Sequence, residues 1–243
     1  GRVVMQVFHS EICVEHKSDS SPVTEADRAA EVIILAGLRA EFPHIPCVAE
    51  EECAAGILPE TLGSAFFLVD PLDGTKEFVA HRAEFTVNIA LVENGRPLLG
   101  VLHVPPTGLT YAAAGPGTAV KIAGDAPPER IAARAAPAAG LVVTHSRSHS
   151  KWNDLDDFLR PYRVSERMIM GSALKFGLIA EGRADLYPRL GPTSEWDTAA
   201  GQAILEAAGG SVVDRQGRRL GYGKPRFLNP PFVARGREDG AAP

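Results

Sequence analysis

Residues Phe66–Phe78 read FFLVDPLDGTKEF. Phe66 to Val69 form an unbroken apolar run, as expected of a short strand covered on both faces. The run ends directly in Asp70, and Asp73 follows with Pro71 and Gly74 packed around the pair. A carboxylate just past a buried strand rests on a rigid support at the open edge of a sheet, where α/β proteins bind ligands. Pro71 restricts the turn, and Gly74 lets the backbone bend back close to a ligand. Two carboxylates so close repel each other unless a cation neutralises them. Hard oxygen ligands at a tight turn favour Mg²⁺, Mn²⁺ or Ca²⁺ over zinc. Taken alone, the stretch reads equally well as a solvated turn, because Asp, Pro and Gly are common turn residues.

Other acids shift that balance. Glu50, Glu51 and Glu52 end a short strand in IPCVAEEE, and Asp197 opens a helix in EWDTAAG, where an acid suits the positive end of the helix dipole. Asp27 falls in the first turn of a helix written PVTEADRAAEVIILAGLRAEF, whose Ala26, Ala30, Ile33, Ile34 and Leu38 recur at helical spacing. Thr24 or Ser21 is its expected cap, Pro22 is expected near its first turn, and Asp27 has a local role as capping partner of Thr24. Each acid has such a bland explanation. Together they supply the carboxylates of a two- or three-metal site, the arrangement used for phosphoryl hydrolysis.

The rest of the chain alternates elements. EFTVNIALVENGRPLLGVLHV is a hairpin signal around Asn94-Gly95. LTYAAAGPGTAVKIA predicts two further strands. LVVTHS, RVSERMIM, ADLYPRL and SVVD read as strands, and KWNDLDDFLRPY, SALKFGLIAEG and EWDTAAGQAILEAAGG as helices, the last closed by Gly209. The Pro/Ala/Gly-rich stretch GDAPPERIAARAAPAAG is the expected boundary between two lobes, 1–125 and 126–243, in an α/β (α+β) fold. The chain opens on Gly1 rather than Met, so a first helix ending at Phe8 is expected to lack part of its start.

With a formal net charge of −5, the 243-residue chain does not present a nucleic-acid-binding surface. A phosphate-handling enzyme of this charge needs metal ions or local Lys and Arg to attract its substrate. Cys13, Cys47 and Cys53 are odd in number and lack CxxC spacing, as expected of reduced thiols in the cytoplasm. No apolar run reaches the length of a membrane span. Two segments suit a nucleotide. THSRSHS lies between a strand and a helix, with Ser and His able to reach a ribose or base and Arg147 able to meet a phosphate. In MGSALKF, Gly171 and Ser172 stand at an expected helix N-terminus, with Lys175 a turn further on. The alternative for Lys175 is a surface lysine with a snorkelling stem.

SPVTEAD (Ser21–Asp27), Glu50-Glu51, DPLDGT (Asp70–Thr75) and WDTAAG (Trp196–Gly201), in that order, resemble the magnesium-dependent, lithium-sensitive phosphatases related to inositol monophosphatase. DPLDGTKEF, EFTVNIAL, SRSH, GSALKF, LYPRLGPTSEWDTAAG and FLNP are similar to the CysQ-type 3'(2'),5'-bisphosphate nucleotidases within that family. The resemblance implies a layered αβαβα sandwich with the site between two lobes. It implies Glu50, Asp70 and the Leu72 carbonyl as ligands of one Mg²⁺, and Asp70, Asp73 and Asp197 as ligands of a second. A third ion and replacement by Mn²⁺ are open. Asp27 and Thr75, with Glu51 nearby, are implied to orient and deprotonate a water. Gly74 and Thr75 are implied to offer backbone N–H groups to the phosphate, which Glu50, Leu72, Asp73 and Asp197 also face. Ser146, His149, Gly171, Ser172 and Lys175 are implied to contact the nucleotide, and Arg189 to hold its second phosphate. The expected reaction is hydrolysis of the 3'-phosphate of adenosine 3',5'-bisphosphate in sulfur metabolism. The sulfated donor is a further candidate substrate, and an inositol or sugar monophosphatase is the alternative. The expected setting is the cytoplasm, with attachment to the inner membrane and a homodimer both left open.

Overall fold

The computed structural model describes residues 1–10, 12–16, 22–147 and 152–237. The first half runs through helix α1 (Arg2–Phe8), strands β1 (Val14–His16) and β2 (Pro22–Thr24), helix α2 (Glu25–Glu41), strand β3 (Cys47–Ala49), helix α3 (Glu50–Ala54), strand β4 (Ala65–Asp73) and helix α4 (Thr75–Val79). A meander follows: β5 (Thr86–Glu93), β6 (Arg96–Val104), β7 (Leu109–Ala114), β8 (Val120–Ala123) and β9 (Glu129–Arg130). The second half contains β10 (Leu141–His145), α5 (Trp152–Leu159), β11 (Val164–Ile169), α6 (Leu174–Ala180), β12 (Leu186–Arg189), β13 (Thr193–Ser194), α7 (Ala199–Ala207), β14 (Ser211–Asp214), β15 (Leu228–Asn229) and β16 (Phe232–Arg235).

Two sheets dominate. One has the order β3-β4-β5-β6-β7-β8-β9, antiparallel except for the β3–β4 pair. The other has the order β11-β10-β12-β16-β14 and is mixed. Side-chain alternation along β4 sets the layering. Phe67 and Val69 face the cluster that holds Leu35 of α2, whereas Phe66 and Leu68 face Ala199 and Ala200 of α7. Beyond α7, Phe176 and Ile179 of α6 share the largest core with Tyr187, Phe232 and Ala234 of the second sheet. Val143, Leu186 and Val233 on the far side of that sheet cover Leu155 and Leu159 of α5. The order is helix, sheet, helix, sheet, helix, the αβαβα sandwich expected from the sequence.

The small residues of WDTAAG explain how closely the central helices pack. A Cβ on Gly100 of β6 would lie 2.3 Å from the Ala200 carbonyl oxygen, and one on Gly201 would lie 2.4 Å from the Phe176 ring. Helix α7 is thus wedged between the first sheet and α6, with Asp197 just ahead of it.

Several local expectations change. The glutamates after Cys47–Ala49 do not extend the strand but open α3, where their charge suits the helix N-terminus. Pro22 belongs to β2 rather than to the first turn of α2. Thr24 is the cap of α2, and Ser21 lies outside the described residues. The Asn94-Gly95 turn has positive φ at both residues, 49° and 72°, as the hairpin reading requires. Part of the Pro/Ala/Gly-rich segment joins the first sheet, where Glu129–Arg130 pairs with β8, and Ala135 makes an isolated bridge to Arg237. Among the described residues, no helix is long and apolar enough to cross a membrane.

Candidate active site

Strands β3 and β4 run parallel with Ala49 opposite Val69, so Glu50 and Asp70 emerge together from the same end of the sheet. Asp73 needs a further device. Three residues apart on a regular strand, Asp70 and Asp73 would point to opposite faces. Asp70 pairs with Asn88 and Asp73 with Thr86, so one extra residue bulges out of β4 between the two acids. The bulge at Pro71-Leu72 brings both carboxylates to one side. Gly74 then turns the chain at φ 94°, and a Cβ there would lie 3.0 Å from the Glu84 carbonyl oxygen, so the position favours glycine.

Glu50, Asp70, Leu72, Asp73 and Asp197 line one pocket with Gly74, Thr75, Ser146, Gly171, Ser172, Lys175 and Arg189. Asp27 does not line it, but its Oδ1 lies 3.3 Å from the Thr75 hydroxyl. That hydroxyl also reaches the Leu72 carbonyl at 3.1 Å. Oδ2 of Asp27 accepts the Thr24 backbone N–H and hydroxyl at 2.8 and 2.7 Å. The capping of Thr24 and the contact with Thr75 therefore belong to different oxygens of one carboxylate. Glu51 is not part of the pocket lining. Its backbone N–H, like that of Glu52, is held at 2.8 Å by the buried carboxylate of Glu31.

The residues expected to meet a nucleotide differ from expectation in detail. Gly171 and Ser172 precede α6, which starts at Leu174 with Ala173 as its cap. The Gly171 N–H is taken by Glu84 at 3.0 Å and the Ala173 N–H by Asp73 at 2.5 Å, so protein carboxylates use the donors expected to receive an anion. Lys175 is 2% exposed, which rules out a snorkelling surface lysine. It donates to the carbonyls of Met170 (3.3 Å) and Ser172, and its Nζ sits 4.9 Å from the Tyr187 ring centre. Arg189 is buried, donating to the Ser146 hydroxyl at 3.3 Å and the Pro192 carbonyl at 2.8 Å, while its Nε has no partner. Arg147, expected to meet a phosphate, is paired with Glu84 at 3.0 Å. His149 lies outside the described residues. Trp196 packs on Phe227, consistent with a core role.

Charge is concentrated here. Burial and then the charges of Glu50, Asp73 and Asp197 raise the Asp70 carboxyl well above its usual range. Burial followed by Asp73 and Glu50 pushes Asp197 up to about 8. Burial also raises Asp73, against the opposing effect of Lys175. Burial pushes Lys175 down to about 8 despite the attraction of Asp73.

A comparison with known proteins settles which family builds this pocket: residues 1–241 match the inositol monophosphatase family. The chain belongs to that family. It is 46% identical over 236 residues to the 3'(2'),5'-bisphosphate nucleotidase CysQ of Salmonella typhimurium, covering 96% of this chain and 93% of that one. Identity to the CysQ of Escherichia coli K12 is 44% over the same coverage. Among solved structures, CysQ from Bacteroides thetaiotaomicron superposes with a TM-score of 0.78 at 34% identity, over 97% of this chain and 92% of that one. An inositol monophosphatase of Thermotoga maritima superposes with a TM-score of 0.78 at 28% identity, covering 96% and 86%.

Members of the family are in general Mg²⁺-dependent phosphatases. The donor set fits such an ion: carboxylates of Glu50, Asp70, Asp73 and Asp197, a backbone carbonyl, and mutual repulsion that a divalent cation relieves. Among the described residues no three His, Cys, Asp or Glu side chains stand close enough together to hold a metal ion by themselves. Mg²⁺ keeps waters and takes substrate phosphate oxygens as ligands, so it needs only one or two protein carboxylates.

Sequence reasoning passed over three acids that build this site. Glu31 stands four residues after Asp27 on the buried side of α2, and a charge on that side was the available signal. Glu77 was visible in DGTKEF and lines the pocket. Glu84 carries no local signal, because its partners lie 63 and 87 residues away.

Proposed function

We propose that the protein hydrolyses the 3'-phosphate of adenosine 3',5'-bisphosphate to give AMP and phosphate, and acts on the sulfated donor carrying the same 3'-phosphate. The observation that carries this reading is one pocket combining five carboxylates, Glu77 among them, with two buried cations, Lys175 and Arg189. A single phosphate among metal ions has no need of two further buried cations, whereas a second phosphate does. The CysQ relatives, named for this activity, support it.

In this reading Glu50, Asp70, Asp73, Asp197 and the Leu72 carbonyl hold two or three Mg²⁺ ions, with Mn²⁺ able to replace them. When bound, such ions lower the pKa of water and neutralise charge on phosphoryl oxygens. The Thr75 hydroxyl orients the attacking water and takes its proton while passing its own to Asp27 Oδ1, with Glu51 nearby but outside the pocket lining. The Gly74 and Thr75 N–H groups hold the phosphoryl oxygens. Ser146, His149 and the Gly171-Ser172 turn meet the nucleoside, while Lys175 and Arg189 hold the 5'-phosphate. The lobes divide near residue 125, and the enzyme works in the cytoplasm. Phosphate release from adenosine 3',5'-bisphosphate, inositol 1-phosphate and fructose 1,6-bisphosphate, with and without Mg²⁺, tests the reading. The nucleotide is expected to dominate and to need Mg²⁺; equal turnover of all three would refute the substrate assignment.

A further inference from the structure

Glu84 lies in the loop between α4 and β5 and bonds to two segments of the second half. Its Oε2 accepts Arg147 Nη1 at 3.0 Å and the Gly171 N–H at 3.0 Å, and its Oε1 accepts Arg147 Nη2 at 3.4 Å. Glu77 reinforces the pair, with Oε1 3.7 Å from Arg147 Nη1. The Glu84 backbone is equally engaged. A Cβ on Gly74 would stand 3.0 Å from its carbonyl oxygen, and one on Gly171 would stand 2.6 Å away. Both turns that carry the site, Asp73-Gly74-Thr75 and Gly171-Ser172-Ala173, are therefore seated on this one residue.

We propose that Glu84 and Arg147 form a clasp that fixes the distance between the ion-binding and nucleotide-binding halves of the pocket. Gly171 N–H is tied to Glu84 and Ala173 N–H to Asp73, so the turn between them is pinned at both ends. Ser172 is held at φ 51°, a conformation that a serine keeps only when its surroundings impose it. The Ser172 carbonyl in turn binds the Lys175 ammonium. Release of Glu84 frees one end of this turn, and both the Ala173 contact with Asp73 and the position of Lys175 loosen. Glu84 and Arg147 are thus positioning residues, not groups that touch the reacting atoms.

The clasp deepens the proposed function and rests on it for the nucleotide, but not for the ion. The test compares Arg147→Ala, Arg147→Lys, Glu84→Gln and the Glu84→Gln/Arg147→Ala double variant. Steady-state hydrolysis of adenosine 3',5'-bisphosphate is measured alongside the Mg²⁺ concentration that half-maximally raises the melting temperature. Arg147→Ala and Glu84→Gln are each expected to raise KM and the Mg²⁺ midpoint by roughly five-fold, the scale of one partly exposed charge-assisted hydrogen bond. The expected change in kcat is less than about two-fold. Arg147→Lys should recover part of the loss, and the double variant should be no worse than the poorer single. Loss of melting temperature with unchanged KM and Mg²⁺ midpoint overturns the proposal. So does a lowered KM in Glu84→Gln, which would mean that Arg147 is a phosphate ligand restrained by Glu84. If the wild type fails to turn over the nucleotide while the Mg²⁺ midpoint still shifts in the variants, the substrate reading fails and the clasp stands.

Discussion

Glu31 accepts the backbone N–H of Glu51 at 2.8 Å, and through this bond helix α2 fixes where helix α3 begins. Its other oxygen takes the Glu52 N–H at 2.8 Å, so one buried carboxylate caps α3, whose own cap residue, Ala49, has no side chain able to do so. Because Asp27 lies one turn earlier on α2, the same helix places both the partner of Thr75 and the start of the Glu50 segment. Glu31→Ala is expected to cost about 1–3 kcal/mol in urea unfolding, the range for buried donors left without an acceptor. It should also cut Mg²⁺-dependent phosphate release, and Glu31→Gln, keeping one acceptor, should fall between.

Asp73→Asn is expected to lower turnover by at least about 100-fold, since it removes a carboxylate from the electrostatic core of the site. The metal-free variant should melt no lower than the wild type, because the change also lifts repulsion from Asp70 and Asp197. Activity and melting temperature measured on the same preparation check both halves; a variant that melts lower and remains active would contradict the assignment.

The pH dependence of stability follows from the same charges. Asp197 is raised from 3.8 to about 8, and Glu31 from 4.5 to about 7, in each case chiefly by burial. Between the lower and upper values the folded chain binds more protons than the unfolded one, so these groups make stability fall as pH rises through that window. Lys175, lowered from 10.5 to about 8, acts oppositely: above 8 the unfolded chain holds the extra proton and stability rises. Melting in EDTA should therefore show a minimum near pH 8. Saturating Mg²⁺ should hold Asp197 ionised and remove its share of the fall, leaving the share of Glu31 between about pH 4.5 and 7.

Lys175→Met and Arg189→Ala separate the two phosphates. Each is expected to raise KM for adenosine 3',5'-bisphosphate by about 10–100-fold, as for loss of a buried charge-assisted contact. Hydrolysis of p-nitrophenyl phosphate, which has one phosphate, should change by less than about three-fold. Equal losses on both substrates would place these cations at the reacting phosphate instead.

Gly100→Ala probes the seat of α7. The new methyl would meet the Ala200 carbonyl oxygen at 2.3 Å, a backbone atom that cannot rotate away. A loss of about 1–3 kcal/mol is expected by chemical denaturation, with a higher Mg²⁺ concentration needed for half-maximal activity because Asp197 lies just ahead of this helix.

Much of this site was legible because its motifs are local. The apolar run ending in Asp70, the Asn94-Gly95 turn and the small residues of WDTAAG each state their structure within a few positions. Other features depend on residues that meet only in the fold. Glu50–Glu52 look like a strand's end until the capping carboxylate of Glu31 shows that a helix starts there. Arg147 looks like a phosphate ligand until Glu84, 63 residues away, takes it. Lys175 looks like a surface residue until Tyr187 and two carbonyls close over it. Burial and long-range pairing decide these cases, and neither has a signature within a short window.

The parallel pairing of Ala49 with Val69 has a consequence for variation. Glu50 and Asp70 are neighbours through sheet alignment, not through the connection that joins their strands. The surface crossover between α3 and β4 can lengthen or shorten among descendants of this chain without separating the two acids. A deletion of a single residue inside Cys47–Ala49, by contrast, would turn a strand inside out and withdraw Glu50 from the pocket, so tolerance to length changes should rise abruptly after α3 ends at Ala54.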